Sequence, residues 1–247
     1  MSAPRVFLHG WGLHGGLWTG TADACVGATV HCPDLPGYGG RARVTPYDAD
    51  HLADAMVADW REPSVVIGWS LGGMVAQALA ARHPDRVRAL VLVGSSPAFV
   101  QRPDWPHGLA PTVLDGFAQA LAGDYRHTLQ RFLSLQARGG DEARAVIARL
   151  RATVFARGEP EPASLAAGLD LLRSVDLRAR APDISCPTLV LHGGHDSLCP
   201  PAAGAWLAAT IPGARLVVHP GAAHAPFLSH PAWFQARLTE FLDDHGT

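Results

Sequence analysis

The sequence predicts an α/β protein in which helices cover both faces of one mostly parallel β-sheet. The main observation is that short apolar segments suited to buried strands alternate with segments of helical spacing along most of the chain. A second is the length of 247 residues, which is enough for one large domain with a sizeable core. A third is a long helical interruption of the alternation, which is typical of an insertion between two core strands.

The predicted strands share a short apolar run followed by a turn or loop. In chain order they are residues 5–10, 27–37, 64–68, 89–96, 187–196 and 214–224. A helix is predicted over 71–84, where a proline ends it, and another over 231–244, which begins with a proline.

The stretch from 97 to 182 contains no convincing buried strand and has the pattern of amphipathic helices. We therefore expect a core domain made of residues 1–96 and 183–247, with residues 97–182 inserted as a helical lid. Such a lid would cover the C-terminal edge of the sheet, where open α/β folds bind ligands.

Composition excludes several classes of function. The formal net charge of −2 favours neither nucleic acid nor an anionic membrane as a partner. All 20 basic residues are arginine, which excludes lysine-dependent Schiff-base chemistry and a P-loop. The N-terminus lacks the pattern of a signal peptide, and no uncharged apolar stretch reaches ~18 residues. We expect a cytoplasmic protein, and a monomer because no sustained heptad pattern is present.

The four cysteines give no sign of a metal site. Cys25, Cys32, Cys186 and Cys199 show neither C-x-x-C nor zinc-ligand spacing. This favours free thiols in a reducing compartment, while a disulfide between two of them stays open.

The motif Gly68-Trp69-Ser70-Leu71-Gly72 lies between a predicted strand and a predicted helix. A serine at the tip of so tight a turn leaves no space for side chains two residues before or after it, which explains both glycines. The turn lifts the hydroxyl clear of the sheet, and the backbone N–H of Leu71 points to where an oxyanion would form. The alternative is a chance glycine-rich turn.

A serine nucleophile needs a histidine base, which in turn needs a carboxylate. Among 13 histidines, His224 is the best placed, because it lies in the loop after the last predicted strand. Asp196 follows the preceding strand and supplies the carboxylate, although by itself it would suit a turn or helix cap. The order Ser70, Asp196, His224 is that of α/β hydrolases.

A second oxyanion donor is expected in the loop LHGWG at 8–12, from the backbone N–H of Trp11. His9 in the same loop is interpreted as structural. His192, His195 and Asp196 are close in sequence, but no further ligand is apparent, so a metal site is not predicted.

Beyond these generic motifs, the chain resembles the pimeloyl-[acyl-carrier protein] methyl ester esterases of biotin synthesis, a family of α/β hydrolases. The segments that carry the resemblance are LHGWG at 8–12, GWSLGG at 68–73, SSPAF at 95–99, DWP at 104–106, RFLSLQ at 131–136, VDLR at 175–178 and AAHAPFLSHP at 222–231. One difference is that this family usually begins with about ten more residues, an extra edge strand or hairpin.

The resemblance implies a catalytic triad of Ser70, Asp196 and His224 and an oxyanion hole at Trp11 and Leu71. The positions that it implies for substrate binding are Trp11, Ser70, Leu71, Phe132, Leu133, Ser134, Leu135, Gln136 and His224.

The resemblance also implies a partner, the acyl carrier protein that bears the pimeloyl methyl ester. It would dock on the lid arginines Arg131, Arg144 and Arg149. Residues 118–157 contain seven arginines and three acidic residues. By itself, this excess of arginine favours an ordinary solvent-exposed helical face. The resemblance to the esterase family shifts the interpretation toward a surface that docks the carrier protein.

The expected reaction is hydrolysis of this methyl ester through an acyl-enzyme, without a cofactor or metal. Three alternatives stay open at this point. They are a broad-specificity esterase for short-chain esters that needs no carrier protein, a C–C bond hydrolase or thioesterase, and a non-catalytic binding protein with the same fold.

Overall fold

The computed structural model describes residues 2–247 and contains one six-stranded β-sheet. The strands are β1 Arg5–Leu8, β2 Val30–His31, β3 Ser64–Trp69, β4 Val87–Val93, β5 Thr188–Gly193 and β6 Arg215–His219. Their order in the sheet is β2-β1-β3-β4-β5-β6, and every neighbouring pair is parallel. The predicted α/β fold with a parallel sheet is therefore confirmed.

Ten α-helices accompany the sheet within the described residues. They are α1 Thr19–Asp23, α2 Ala49–Val57, α3 Leu71–Arg82, α4 Pro111–Gly123, α5 Tyr125–Gln136, α6 Ala143–Val154, α7 Pro162–Ser174, α8 Pro201–Thr210, α9 Pro226–Ser229 and α10 Pro231–Asp244. Half of them begin with proline, whose fixed φ suits the first helical turn and whose missing N–H is not needed there. Among these residues, no helix is both long and apolar enough to cross a membrane.

Burial along the strands shows how the sheet is covered. All six residues of β3 and all six of β5 are buried. Since successive side chains of a strand point to opposite faces, helices and loops must cover both faces of the sheet at its centre. The outer strand β6 has no fully buried residue. The core therefore lies along the central strands, whose C-terminal ends carry the candidate site.

Five of the six predicted segments are longer than the observed strands, most of all the second and the sixth. The segment 27–37 forms only the two-residue strand β2, because Pro33 and Pro36 cannot donate ladder hydrogen bonds. The segment 214–224 stops pairing at His219, opposite Gly193. The residues after His219 form a turn at 220–221 instead, and His224 lies in the loop that follows.

Helices α4, α5, α6 and α7 lie between β4 and β5, within the predicted insertion. The two ends of this insertion meet, since the N–H of Leu177 donates to the carbonyl oxygen of Pro97 at 2.8 Å. Arg178 binds the carboxylates of Asp104 and Asp176 and lies over the ring of Trp105, 5.5 Å from its centroid. These contacts join the DWP and VDLR segments. The division into a core and a lid stays a prediction.

Candidate active site

Ser70 occupies the turn between β3 and α3 in a conformation that is rare for a side-chain-bearing residue. Its φ of 56° and ψ of −120° make it the one non-glycine residue with positive φ in 2–247. A methyl group at Gly68 would lie 2.5 Å from the carbonyl oxygen of Gly72. One at Gly72 would lie 2.5 Å from the carbonyl oxygen of Leu8. Both glycines are thus required by close backbone approach, and the strained turn leaves Ser70 at the helix start.

His224 and Asp196 form a buried hydrogen-bonded pair. Nδ1 of His224 lies 2.8 Å from Oδ2 of Asp196, and the two residues are 1% and 4% exposed. The other oxygen, Oδ1, accepts from the backbone N–H groups of Leu198 and Cys199 at 3.0 and 2.9 Å. These bonds orient the carboxylate, which in turn orients the imidazole and favours the tautomer with hydrogen on Nδ1.

The loops that carry the three predicted residues converge around Gly94, which follows β4. A methyl group there would lie 3.2 Å from both Oδ2 of Asp196 and Nδ1 of His224. The backbone N–H of Ser70 donates to the carbonyl oxygen of Val93 at 3.0 Å. Nε2 of His224 is buried and makes no hydrogen bond within residues 2–247. It is therefore available to receive a proton, and hydrogen bonds of this kind often form only once substrate is bound.

The loop after β1 lies directly against this cluster. A methyl group at Gly10 would lie 2.9 Å from the ring of Trp69 and 3.2 Å from Cβ of Ser70. Trp11 is 1% exposed, and its indole N–H donates to the carbonyl oxygen of Leu165 in α7 at 2.9 Å. The structure thus brings Trp11 beside the serine turn and ties it to the predicted lid.

His9 is a neutral structural residue in this geometry. Its Nε2 accepts from the backbone N–H of Leu35 at 2.9 Å, while Nδ1–H donates to the carbonyl oxygen of Gly10 at 2.9 Å. Burial lowers the pKa of His9 to about 4. The imidazole therefore links the loops after β1 and β2 and is unsuited to exchange a proton at neutral pH.

The predicted substrate-binding segment of α5 is mostly buried. Phe132, Leu133 and Gln136 are buried, whereas Ser134 and Leu135 are half-buried. The Phe132 ring packs edge-on against Trp11, with centroids 4.8 Å apart. The hydroxyl of Ser134 donates to the carbonyl oxygen of Gln130 within its own helix. Aromatic contact thus joins α5 to the loop that carries Trp11.

Sequence reasoning missed two groups that touch the site. Ser95, just after β4, donates its hydroxyl to the carbonyl oxygen of Ser70 at 3.0 Å. Trp69 donates its indole N–H to the carbonyl oxygen of His224 at 2.8 Å. Ser95 was visible as a polar residue at the C-terminal end of a buried strand, where site residues collect. The partner of Trp69 lies 155 residues away and left no local signal.

The three arginines predicted to dock a carrier protein are exposed on α5 and α6. Arg131, Arg144 and Arg149 form no ion pair within residues 2–247, whereas Arg126 binds Glu159 and Arg157 binds Asp34. Arg131 lies over the Phe117 ring, 5.8 Å from its centroid. Each of these three guanidinium groups is therefore exposed without a carboxylate partner in the described part of the chain.

The parallel sheet, the strained serine turn and the buried His–Asp pair are the features of an α/β hydrolase. A sequence model of the α/β hydrolase fold family matches residues 6–231, and the chain belongs to this family. Its fold is similar to that of an esterase from Exiguobacterium antarcticum, with a TM-score of 0.86 at 24% identity over 98% of this chain and 92% of that chain.

Within that family the chain groups with the pimeloyl-[acyl-carrier protein] methyl ester esterases, as the sequence motifs predicted. It is 44% identical to the protein of that name from Chromobacterium violaceum over 96% of this chain and 93% of the relative. It is also 44% identical to the Aeromonas hydrophila protein of the same name over 96% and 94% of the two chains. The likeness therefore extends through the helical insertion.

Substitution of Gly72 by alanine is expected to damage the serine turn. The added methyl group would meet the carbonyl oxygens of Leu8 and His9 at 2.5 and 2.6 Å, and backbone atoms cannot move aside easily. We expect a loss of about 1–3 kcal/mol in the free energy of unfolding, measured by urea denaturation. Gly116→Ala is the control, since apart from its own helix backbone and its chain neighbours no atom of residues 2–247 lies within 4 Å of the added methyl group. Equal stability of the two variants would contradict the crowding.

Stability is expected to fall on acidification because of His9. Its pKa of about 4 lies below the ordinary value of 6.5, so the unfolded state binds the proton first as the pH falls. The resulting loss develops between about pH 6.5 and 4 and is on the order of 3 kcal/mol. Urea denaturation across this range measures it. His9→Gln, whose amide cannot titrate, should show a shallower pH dependence, and an unchanged slope would exclude His9 as the cause.

Proposed function

We propose that the protein is a serine esterase that hydrolyses the methyl ester of pimeloyl-[acyl-carrier protein] in biotin synthesis. The observation that carries this proposal is the buried pair of His224 and Asp196 beside the strained Ser70 turn. The 44% identity to the Chromobacterium violaceum protein of that name supports the substrate. A chemistry based on serine, histidine and aspartate needs no cofactor.

In the proposed mechanism His224 acts through Nε2, the ring nitrogen that makes no hydrogen bond to any residue the structure describes. It removes the proton of the Ser70 hydroxyl as the oxygen attacks the ester carbonyl. Asp196, held by two backbone N–H groups, stabilises the imidazolium that forms. His224 then protonates the departing methoxide, which leaves as methanol. In the second half, it activates a water molecule that hydrolyses the acyl-enzyme.

Backbone N–H groups of Trp11 and Leu71 are proposed to stabilise the oxyanion. Leu71 is the first residue of α3, so its N–H is free of helical pairing and lies at the positive end of the helix dipole. Trp11 follows Gly10, where an added methyl group would lie 3.2 Å from Cβ of Ser70, and this close approach supports its proposed role. Each such donor contributes roughly 3–4 kcal/mol to transition-state stabilisation.

We propose that residues 97–182 act as the lid and hold the acyl chain. Phe132 of α5 contacts Trp11 on one side and Phe117 of α4 on the other. The rings of Phe117 and Phe132 are in edge contact, with centroids 5.5 Å apart. Leu133 and Leu135 are proposed to contribute from the same helix as Phe132. Each buried methylene of the pimeloyl chain contributes about 0.8 kcal/mol.

Arg131, Arg144 and Arg149 are proposed to dock the acyl carrier protein. They are exposed and have no carboxylate partner within residues 2–247, so an acidic protein surface could pair with them without breaking existing ion pairs. Exposed charges of this kind act mainly on the rate of encounter and are screened by salt.

The test of the proposed reaction is release of methanol from pimeloyl methyl ester on carrier protein. We expect Ser70→Ala to lower kcat by a factor of roughly 10⁴ or more, because the nucleophile is lost. Ser64→Ala is the matched control, since Ser64 is a buried serine at the other end of the same strand. Its hydroxyl donates to the carbonyl oxygen of Glu62. Retained turnover in Ser70→Ala would contradict the mechanism. Turnover of short esters alone would favour a general carboxylesterase.

Removal of the lid charges should affect only the carrier-bound substrate. The double variant Arg131→Ala, Arg144→Ala is expected to lower kcat/KM for the carrier-linked ester about tenfold at low salt and less at high salt. Hydrolysis of p-nitrophenyl acetate should stay within about twofold. The charge-matched control is Arg61→Ala, Arg88→Ala, which removes two exposed arginines outside the lid. Similar losses in both double variants would exclude docking on this face.

A further inference from the structure

We propose that Trp69 is a positioning residue that anchors the main chain of His224. The indole N–H of Trp69 donates to the carbonyl oxygen of His224 at 2.8 Å, and the two ring centroids are 5.4 Å apart. Trp69 immediately precedes Ser70 in the chain. The nucleophile's own strand therefore holds the backbone of the proposed base. This inference rests on the proposed function, since it takes Ser70 and His224 to react together.

The Trp69 ring is held firmly enough to serve as an anchor. It is fully buried, and its edge contact with Phe227 has a centroid distance of 5.3 Å and an interplanar angle of 73°. The space for the ring depends on Gly10, where a methyl group would come within 2.9 Å of two ring carbons. Packing on these sides restricts rotation of the indole and fixes the direction of its N–H.

A second hydrogen bond, made by the proposed lid, holds the backbone N–H of His224. The N–H of His224 donates to the carbonyl oxygen of Gln136, the last residue of α5, at 3.0 Å. The N–H of Asp141 donates to the carbonyl oxygen of Gly221, also at 3.0 Å. The segment 136–141 therefore pairs with the loop that carries His224. On the core side, the N–H of His195 donates to the carbonyl oxygen of Ala222 at 2.9 Å, and Trp69 is the contact made to His224 itself.

The hydrogen bond between His224 and Asp196 cannot by itself hold the His224 loop at a fixed distance from Ser70. It sets the rotation and tautomer of the imidazole, but it does not fix the distance of the loop from Ser70. Misplacement of a reacting group by about 1 Å can cost roughly 10²-fold in rate. The carbonyl anchor therefore acts on kcat, because it determines how often Nε2 of His224 lies within reach of the serine hydroxyl.

The test compares Trp69→Phe with Trp105→Phe. Trp105 is a matched control because its buried indole N–H also donates to a backbone carbonyl, that of Ala98, at 2.9 Å. For p-nitrophenyl acetate we expect Trp69→Phe to lower kcat roughly 10- to 100-fold, with KM within about twofold. The pre-steady-state burst gives the rate constants of acylation and deacylation separately. Both should fall, because His224 acts in both steps. Trp105→Phe should leave both rate constants within about twofold.

A second variant separates the hydrogen bond from packing if Trp69→Phe folds poorly. Incorporation of 3-benzothienylalanine at position 69 keeps the shape of the indole and replaces only its N–H by sulfur. The same loss of kcat would support the anchor. Wild-type rates in this variant, or a rise of KM at constant kcat, would overturn it. Absence of both a burst and steady-state hydrolysis in the wild-type protein would instead overturn the proposed function, and this inference with it.

Discussion

The close backbone approach at the end of β3 is the constraint on which the rest of the site depends. Gly72 lies against the carbonyl groups of Leu8, the last residue of β1, and of His9, and this contact leaves no space for a side chain. The chain turns from strand to helix there with Ser70 in a positive-φ conformation. The cost of that strain is met by the surrounding sheet and helix, which are almost fully buried. The hydroxyl is thus held in one place at the edge of the sheet.

Parallel strands bring the other functional groups to the same edge. Every strand of the sheet ends on the side where Ser70 lies, so the loops after β5 and β6 deliver Asp196 and His224 to it. The carboxylate is oriented by two backbone N–H groups, and the imidazole by the carboxylate. The orientations of the Asp196 carboxylate and the His224 imidazole are therefore set by buried hydrogen bonds and not by flexible surface side chains.

The helical insertion takes part in this arrangement rather than only covering it. Trp11 donates to α7 and packs on Phe132 of α5, while Gln136 at the end of α5 accepts from the backbone of His224. In the proposed function, the same helix presents Arg131 to the carrier protein. Docking, acyl binding and placement of the base would then involve one helix, with Trp69 as its counterpart in the core.

The sequence by itself predicted where the six strands lie, the helices α3 and α10, the helical character of the insertion and the serine turn, because these depend on side-chain periodicity and backbone sterics within a few residues. It also placed Asp196 and His224 at strand ends. Their hydrogen bond at 2.8 Å, the pairing of Trp69 with His224 across 155 residues, and the true end of β6 at His219 were decided only by the tertiary structure. Contacts between distant segments depend on how loops close and pack, and no local pattern encodes that geometry.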